Sequence, residues 1–278
     1  IHRDNKIHAH FQQTVAATGR ISCTEPNLQN IPIRHELGRK LRKAFIPESE
    51  EYELVGADYS QIELRILAHL SQDPLLLDAF NNREDIHKIT ASKVFGIPED
   101  QVTPLQRSNA NFGVIYGMSG FGLSTELNIT RKEAERYIGE YFKKYTKVRE
   151  FLDGLVTSCR EKGYVTTIMN RKRIIHEINA DNYMVKQAGE RLAMNSPIQG
   201  SAADVIKIAM VKVYRELNKR QAKSKLILQV HDELIIQAHI PELDMIKDIL
   251  EENMENAVKL SVDLTSDLST GKNWYDLK

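Results

Sequence analysis

The chain has 278 residues, of which 41% are hydrophobic and 27% charged, as is typical of a soluble protein with one large or two modest domains. No run approaches the roughly 18 consecutive apolar residues of a membrane-spanning helix, and the first residues do not have the pattern of a signal peptide. We therefore expect no membrane association and a cytoplasmic location. Cys23 and Cys159 match no zinc-binding spacing, which predicts two free thiols.

The formal net charge is zero, which by itself argues against a nucleic-acid-binding protein. The charges are nevertheless distributed unevenly. Residues 160–225 contain 14 Lys and Arg against 6 Asp and Glu, whereas residues 226–278 contain 4 against 11. A basic segment beside an acidic one fits phosphate binding near a metal site, and it also fits ordinary variation of surface charge.

The first predicted core element is a strand. Residues 52–59 form a largely apolar run, which predicts a buried strand that carries Asp58 at its end. Ser60 and Glu63 have the spacing of a capping box, so a helix should follow directly. Farther along, Pro104 can open another helix that runs through positions 112 and 116.

The middle of the chain combines helices with a small hairpin. Thr130 and Glu133 form a second capping box, which predicts one long amphipathic helix that ends by Gly163. The segments 164–168 and 173–178 then predict two short strands that turn at residues 170 and 171.

The last third of the chain alternates helices and strands without a regular order. Pro197 predicts a break between two helices. Two apolar runs in residues 226–237 predict strands that meet at a polar tip of residues 231–233. A helix from Pro241 to about residue 258 and a short strand at 261–264 complete the chain. The mixture predicts an α+β fold with an antiparallel sheet.

Two acidic residues stand at predicted strand ends, where a divalent cation could be held. Carboxylates about 4 Å apart repel each other by roughly 4 kcal/mol at an effective dielectric constant near 20, and a bound cation removes this repulsion. Asp58 and Asp232 are far apart in sequence, so their spacing alone leaves open whether they form a metal site or serve as turn and capping residues.

Five stretches resemble, in order, the motifs of the family A DNA polymerases, and the ending Gly271–Asp276 is also similar to that family. Together they extend over nearly the whole chain. The five stretches are Thr18–Pro32, Asp58–Arg65, Asn111–Gly117, Asn195–Asp204 and Gln229–Glu233.

The resemblance implies an antiparallel-sheet palm with an inserted, mostly helical fingers subdomain. The palm would comprise residues 1–83 and 186–278, and the fingers residues 84–185. The resemblance implies that the family's thumb and exonuclease-like domains precede the first motif, so we expect neither of them within residues 1–278. The resemblance also implies a monomer that is normally joined to those N-terminal domains.

The activity implied is template-directed DNA synthesis from dNTPs on primer–template DNA, in replication or repair, in a bacterial cytoplasm and associated with the nucleoid. Two Mg²⁺ ions, for which Mn²⁺ can substitute, would be held by Asp58, Asp232 and the backbone carbonyl of Tyr59. Glu233 would support the site as a nearby charge.

Further roles follow from the same resemblance. The residues expected at the nucleotide are Gln61, Glu63, His87, Arg107, Phe112 and Tyr116. Those expected at the DNA are Arg20, Asn27, Gln29, Asn30, Arg191, Asn195, Gln199 and His231. Without the resemblance, aromatic residues four apart would more often be core residues, a single histidine structural, and the polar side chains surface or capping groups.

The chain departs from the family at one motif. The family pattern is Arg, three residues, Lys, two residues, then Asn-Phe-Gly, whereas here Arg107-Ser-Asn-Ala runs directly into Asn111-Phe-Gly. The lysine that would hold the triphosphate is missing, and Ser108 cannot supply its charge. Either the protein lacks three residues between Ala110 and Asn111, or the printed sequence omits them.

This departure makes a second interpretation credible, that of a catalytically impaired primer–template binding module. A metal-dependent nuclease using the same acids would explain neither the aromatic pair Phe112 and Tyr116 nor Glu63. Primer extension separates the polymerase from the binding module.

Overall fold

In the computed structural model of the protein, residues 2–32, 36–103 and 119–277 are described. The helix expected from Pro104, with Arg107, Phe112, Tyr116 and the junction between Ala110 and Asn111, lies outside these residues. The described strands are β1 (His10–Gln12), β2 (Ser22–Thr24), β3 (Tyr52–Tyr59), β4 (Tyr164–Thr166), β5 (Lys172–Ile174), β6 (Lys225–Val230), β7 (Glu233–His239) and β8 (Ser266–Gly271). The described helices are α1 (Glu36–Lys40), α2 (Ile62–Ser71), α3 (Pro74–Asn81), α4 (Ile86–Phe95), α5 (Gly120–Leu127), α6 (Arg131–Lys144), α7 (Thr146–Lys162), α8 (Tyr183–Lys219) and α9 (Leu243–Glu255).

The chain forms two compact units. Unit 1 comprises residues 1–62, 202–259 and 264–278, and unit 2 comprises residues 63–201 and 260–263. Strands and helices are mixed, and every strand pair within the described residues is antiparallel, which confirms the predicted α+β class. None of the helices in the described ranges combines the length and apolar character that crossing a membrane requires.

The core of unit 1 is a four-stranded sheet in the order β6-β7-β3-β8. The central strand β3 has the predicted bounds and is buried along most of its length, because both of its faces are covered. On one face α9 packs with four buried side chains, Ile246, Ile249, Leu250 and Met254. On the other face Leu54 and Ile235 contact Trp274 and Leu277 from the end of the chain. The sheet is therefore held rigidly from both sides.

Unit 2 is mostly helical, and its predicted capping box is confirmed. The Thr130 hydroxyl accepts a hydrogen bond from the Glu133 N–H at 3.3 Å, and the Glu133 carboxylate accepts one from the Thr130 N–H at 2.9 Å. The single long helix expected from there to Gly163 is wrong, because α6 ends at Lys144 and α7 begins at Thr146. Tyr145 lies between them, buried, with its hydroxyl 2.8 Å from that of Thr90.

Helix α8 corrects another expectation, since it runs without interruption through Pro197. A proline has no N–H, so the carbonyl of Ala193 loses its helical partner, at a cost of about 3 kcal/mol. Ala193 and Ile198 are completely buried, and the Ser201 hydroxyl donates to the carbonyl of Pro197 at 2.5 Å. This burial offsets the lost bond and keeps the helix continuous.

The helix predicted after β3 is present, and it begins at Ile62, two residues after Ser60. One further local expectation differs from the structure. Residues 261–264 are not a strand. Val262 and Leu264 are buried without strand pairing, and the strand lies at Ser266–Gly271, where it pairs with β3.

Candidate active site

Asp58 stands at the end of β3 between two other acids. Its cross-strand neighbours are Glu233 in β7 and Asp267 in β8. Residues directly opposite each other point to the same face of a sheet, with Cβ atoms about 4.5–5.5 Å apart. Three carboxyl side chains therefore form a row across the edge of this sheet.

Asp232 belongs to the turn beside this row. Val230 pairs with Glu233, so His231 and Asp232 form a two-residue connection between β6 and β7. The predicted tip also included Glu233, which instead is the first residue of β7. The N–H of Tyr59 donates to the carbonyl of Asp232 at 3.2 Å. This bond joins the turn to the end of β3 and places Asp232 next to the segment that carries Asp58.

A buried glutamine holds the turn from the side of β6. Gln229 is 7% exposed, and its side-chain amide donates to the carbonyl of His231 at 2.5 Å. The Gln29 amide in turn lies 3.3 Å from the carbonyl oxygen and 3.4 Å from the side-chain oxygen of Gln229. His231 itself has φ = +53°, a conformation that non-glycine residues adopt at some energetic cost.

Glu233 lies inside the protein rather than in solvent, with 1% of its surface exposed. A methyl group at position 56 would come within 3.2 Å of its Oε1 atom, so Gly56 leaves the space that this carboxylate occupies. The guanidinium of Arg42 stacks 4.3 Å from the centre of the Trp274 ring. Burial lowers the pKa of Arg42, and the negative charges of Glu233 and Asp58 act in the opposite direction. A buried cation thus supports the acidic row.

Tyr59 fixes the backbone at the same end of the sheet. We refer to this end, with Asp58, Asp232, Glu233 and Asp267, as the acidic corner. Its phenol is buried and donates to the carbonyl of Met254 in α9 at 2.6 Å. Burial raises the pKa of this phenol well above its usual value, and the charges of Asp232 and Glu255 raise it further. The Tyr59 side chain therefore stays neutral and anchors the strand end to the helix.

The chemistry of these groups fits a divalent cation bound in part by substrate. Within the described residues, no group of three or more His, Cys, Asp or Glu side chains is arranged to hold a metal ion by itself. Mg²⁺ is commonly bound through only one or two carboxylates, with water and substrate phosphates completing its octahedron. Asp58 and Asp232 supply hard oxygen ligands of this kind at a strand end and a turn.

The other predicted site residues are distributed over both units. Unit 1 contains Arg20, Asn27, Gln29, Asn30, Gln61 and His231, and unit 2 contains Glu63, His87, Arg191, Asn195 and Gln199. Glu63 is in the first turn of α2 and is 9% exposed. The backbone of His87 lies in α4. Three predicted nucleotide-binding residues, Arg107, Phe112 and Tyr116, fall outside the described residues.

Three residues of this end of the sheet were not predicted from the sequence: Asp267, Arg42 and Gln229. Asp267 lies in a polar segment with weak strand propensity, and only pairing with β3 reveals its position. Arg42 has no feature in the sequence that separates it from a surface arginine. Gln229 could have been found, because it is a polar residue inside an apolar strand.

Comparisons with known proteins identify the family to which the chain belongs. The family model described as DNA polymerase family A matches residues 1–276. The chain is 51% identical to the DNA polymerase I of Caldicellulosiruptor bescii over 276 residues, which is 98% of this chain and 32% of that protein. It is 48% identical to the DNA polymerase I of Bacillus subtilis over 277 residues, 99% of this chain and 32% of that protein. The chain thus spans about a third of the length of these relatives.

A solved structure is also similar. It is described as the POL domain of Pol1 from M. smegmatis in complex with DNA primer-template and dNTP. The TM-score is 0.95 at 44% sequence identity, and the match covers 99% of this chain and 49% of that one.

Proposed function

The chain belongs to DNA polymerase family A, and from this premise we propose that it catalyses template-directed addition of deoxynucleotides to a primer 3′-hydroxyl with two divalent ions. The observation that carries the proposal is the junction of the β6–β7 turn with the end of β3. The Tyr59–Asp232 backbone bond joins the two chain segments that carry Asp58 and Asp232, which supports a shared site for metal and substrate.

Asp58 and Asp232 are the residues that would hold Mg²⁺, or Mn²⁺ in its place, with the carbonyl of Tyr59 as a further oxygen ligand. The chemistry that divalent ions supply in such a site is activation of a hydroxyl nucleophile and neutralisation of phosphate charge. Glu233 contributes negative charge from the buried side of the row, and Arg42 limits the repulsion among the acids.

The nucleotide and the DNA would be bound by separate groups of residues. Glu63, which is almost buried at the start of α2, would fill the space of a ribose 2′-hydroxyl and so select deoxynucleotides. Phe112 and Tyr116 would offer aromatic faces to the bases, and Gln61, His87 and Arg107 would contact the nucleotide. The DNA itself would be bound by residues whose donors suit sequence-independent contacts to phosphates and to the minor groove. They are Arg20, Asn27, Gln29, Asn30, Arg191, Asn195, Gln199 and His231.

Primer extension with Mg²⁺ on a defined template tests the proposal. Asp232→Asn keeps the size of the side chain and removes its charge, so extension should fall by about 10³-fold while the melting temperature changes little. Asp244→Asn is the matched control, because the side chain of Asp244 is fully exposed on α9. Equal extension by Asp232→Asn and the unmodified chain would refute the assignment of Asp232.

The missing lysine of the third motif supports a second candidate, a module that binds primer–template without extending it. The same assay distinguishes the two when DNA binding is measured in parallel. Binding without extension favours the module, and insertion of the family's Lys and the two following residues between Ala110 and Asn111 should then restore synthesis. Robust extension by the chain as it stands would exclude the module.

A further inference from the structure

Helix α8 carries a row of polar side chains at intervals of four residues. The row begins with Tyr183 and Gln187 and continues through Arg191, Asn195 and Gln199. Residues four apart are neighbours on a helix surface, so the five side chains form one winding stripe. At 1.5 Å per residue the stripe is about 24 Å long. Every one of its members is at least partly exposed, and we refer to these five residues as the polar stripe.

The packing of the opposite side of α8 determines where the polar stripe faces. Gly189 lies against backbone, because a Cβ atom there would be 2.7 Å from both the carbonyl carbon of Glu177 and the nitrogen of Ile178. Ala193 belongs to a buried cluster that also contains Cys159 and Ile175. These contacts within unit 2 fix the rotation of the helix about its axis and leave the polar stripe accessible.

The first two members of the stripe are oriented before any partner binds. The Gln187 amide donates to the Tyr183 hydroxyl oxygen at 2.7 Å, which leaves the phenolic proton available to an outside acceptor. Tyr183 is 69% exposed. The side chain of Asn182 accepts from the N–H groups of Met184 and Val185 at 2.9 and 3.3 Å, so the helix start that carries Tyr183 is capped.

The charge along this part of α8 is positive. Glu190 is neutralised by an ion pair with Arg160 at 2.5 Å. Lys186 and Arg191, by contrast, form no ion pair with any residue in the described part of the chain. Two cations, an outward-pointing phenol and amide groups suit a polyanion with many hydrogen-bond acceptors along a continuous strip.

We propose that Tyr183 and Gln187 extend the DNA-binding surface so that the polar stripe contacts about seven base pairs of the duplex part of the primer–template. This length follows from a stripe of about 24 Å and a rise of about 3.4 Å per base pair. The Tyr183 hydroxyl donates to a phosphate oxygen, and Gln187 holds the phenol in position. The inference rests on the proposed function, because it continues the surface formed by Arg191, Asn195 and Gln199.

The test compares DNA affinity on long and short duplexes. Fluorescence anisotropy would give the Kd of the full chain for primer–templates with about 12 and about 4 base pairs, without nucleotide. Tyr183→Phe removes only the hydroxyl and should weaken binding to the longer duplex about threefold to fivefold. Gln187→Ala should have a similar effect. Neither change should alter the Kd for the shorter duplex, because that duplex would not reach the end of the stripe formed by Tyr183 and Gln187.

Tyr214→Phe is the matched control, since Tyr214 is another tyrosine of α8 with 59% exposure, outside the polar stripe. It should leave both affinities unchanged. An unaltered Kd of Tyr183→Phe on the longer duplex, or an equal loss on both duplexes, would overturn the inference. Extension by the unmodified chain is measured in parallel. If the chain does not extend primers but Tyr183→Phe weakens binding to the longer duplex only, the proposed synthesis fails and the duplex contact stands.

Discussion

At the scale of single residues, the position of Asp232 depends on an uncharged residue, Gln229, which holds the preceding residue of the turn. His231 adopts a positive φ, and a non-glycine residue stays in that conformation only when its surroundings hold it there. Gln229 provides this restraint by donating to the carbonyl of His231 from a buried position. The turn geometry is thus maintained by a neutral hydrogen bond inside the sheet.

We therefore predict that Gln229→Leu reduces primer extension by about tenfold and lowers the free energy of unfolding by about 1–2 kcal/mol, because the His231 carbonyl loses its donor. Gln237→Leu is the matched control. Gln237 is 8% exposed and accepts a hydrogen bond from the Glu48 N–H at 3.0 Å, at the opposite end of β7. Steady-state kinetics and urea unfolding should show similar losses of stability for both variants but a loss of extension only for Gln229→Leu. Equal activity of the two would contradict the role of Gln229.

At the scale of elements, the carboxylate of Glu242, which follows β7, is hydrogen-bonded to the segment that precedes β6. Glu242 accepts hydrogen bonds from the N–H groups of Lys223 and Ser224, each at 3.0 Å, and from the Ser224 hydroxyl at 2.5 Å. Ser224 also accepts from the His239 N–H at 2.9 Å. Partial burial would raise the pKa of Glu242, but these hydrogen bonds outweigh it and hold the pKa below the ordinary value of 4.5.

A carboxyl group whose pKa is lower in the folded state stabilises the fold above its unfolded pKa, and the stabilisation is lost as the pH falls through the folded pKa. Glu242→Gln should accordingly lower the free energy of unfolding by about 1 kcal/mol at pH 7, with a smaller difference from the unmodified chain below pH about 4. Urea unfolding at several pH values measures this, with Asp244→Asn as an exposed acid for comparison. A difference that does not change with pH would show that the charge of Glu242 is unimportant.

Replacing two helical glycines of unit 2 by larger residues should change the free energy of unfolding in opposite directions. Gly154 in α7 is exposed, and a Cβ atom there would contact nothing within 4 Å, so Gly154→Ala should raise the free energy of unfolding by about 0.5–1 kcal/mol. Gly189 in α8 lies against the backbone of Glu177 and Ile178, so Gly189→Leu should lower it by at least about 2 kcal/mol. Thermal unfolding of the two variants tests this, and a stabilising Gly189→Leu would refute the close packing of α8.

At the scale of the whole molecule, zero net charge means that the proposed affinity for DNA would have to come from the local distribution of charge. The excess of cations in residues 160–225 includes those near the polar stripe. We predict that the logarithm of the primer–template association constant falls linearly with the logarithm of salt concentration, and that Arg191→Gln lowers the steepness by about 1. Lys132→Gln, which removes an exposed cation of α6, should leave the slope unchanged. If Arg191→Gln has the same salt dependence as the unmodified chain, Arg191 does not contact a phosphate.

The sequence by itself determined the features that depend on neighbours a few residues apart. The capping box at Thr130 and the buried strand at 52–59 were predicted correctly, because short-range hydrogen bonding and apolar patterning specify them. The polar tip between β6 and β7 was predicted except for Glu233, which pairs within the sheet. The ordered motifs were equally sufficient for the family, since they require only local identity and order.

Tertiary structure decided the features that depend on partners far away in the chain. Burial of the residues on both sides of Pro197 keeps α8 continuous, although a proline normally ends or kinks a helix. Pairing with β3 makes the polar segment Ser266–Gly271 a strand. Asp267 and Arg42 join the acidic corner for the same reason, because only the folded sheet and its covering residues bring them there. Patterns along the chain carry no information about such contacts, whose free energy is gained only when distant segments pack together.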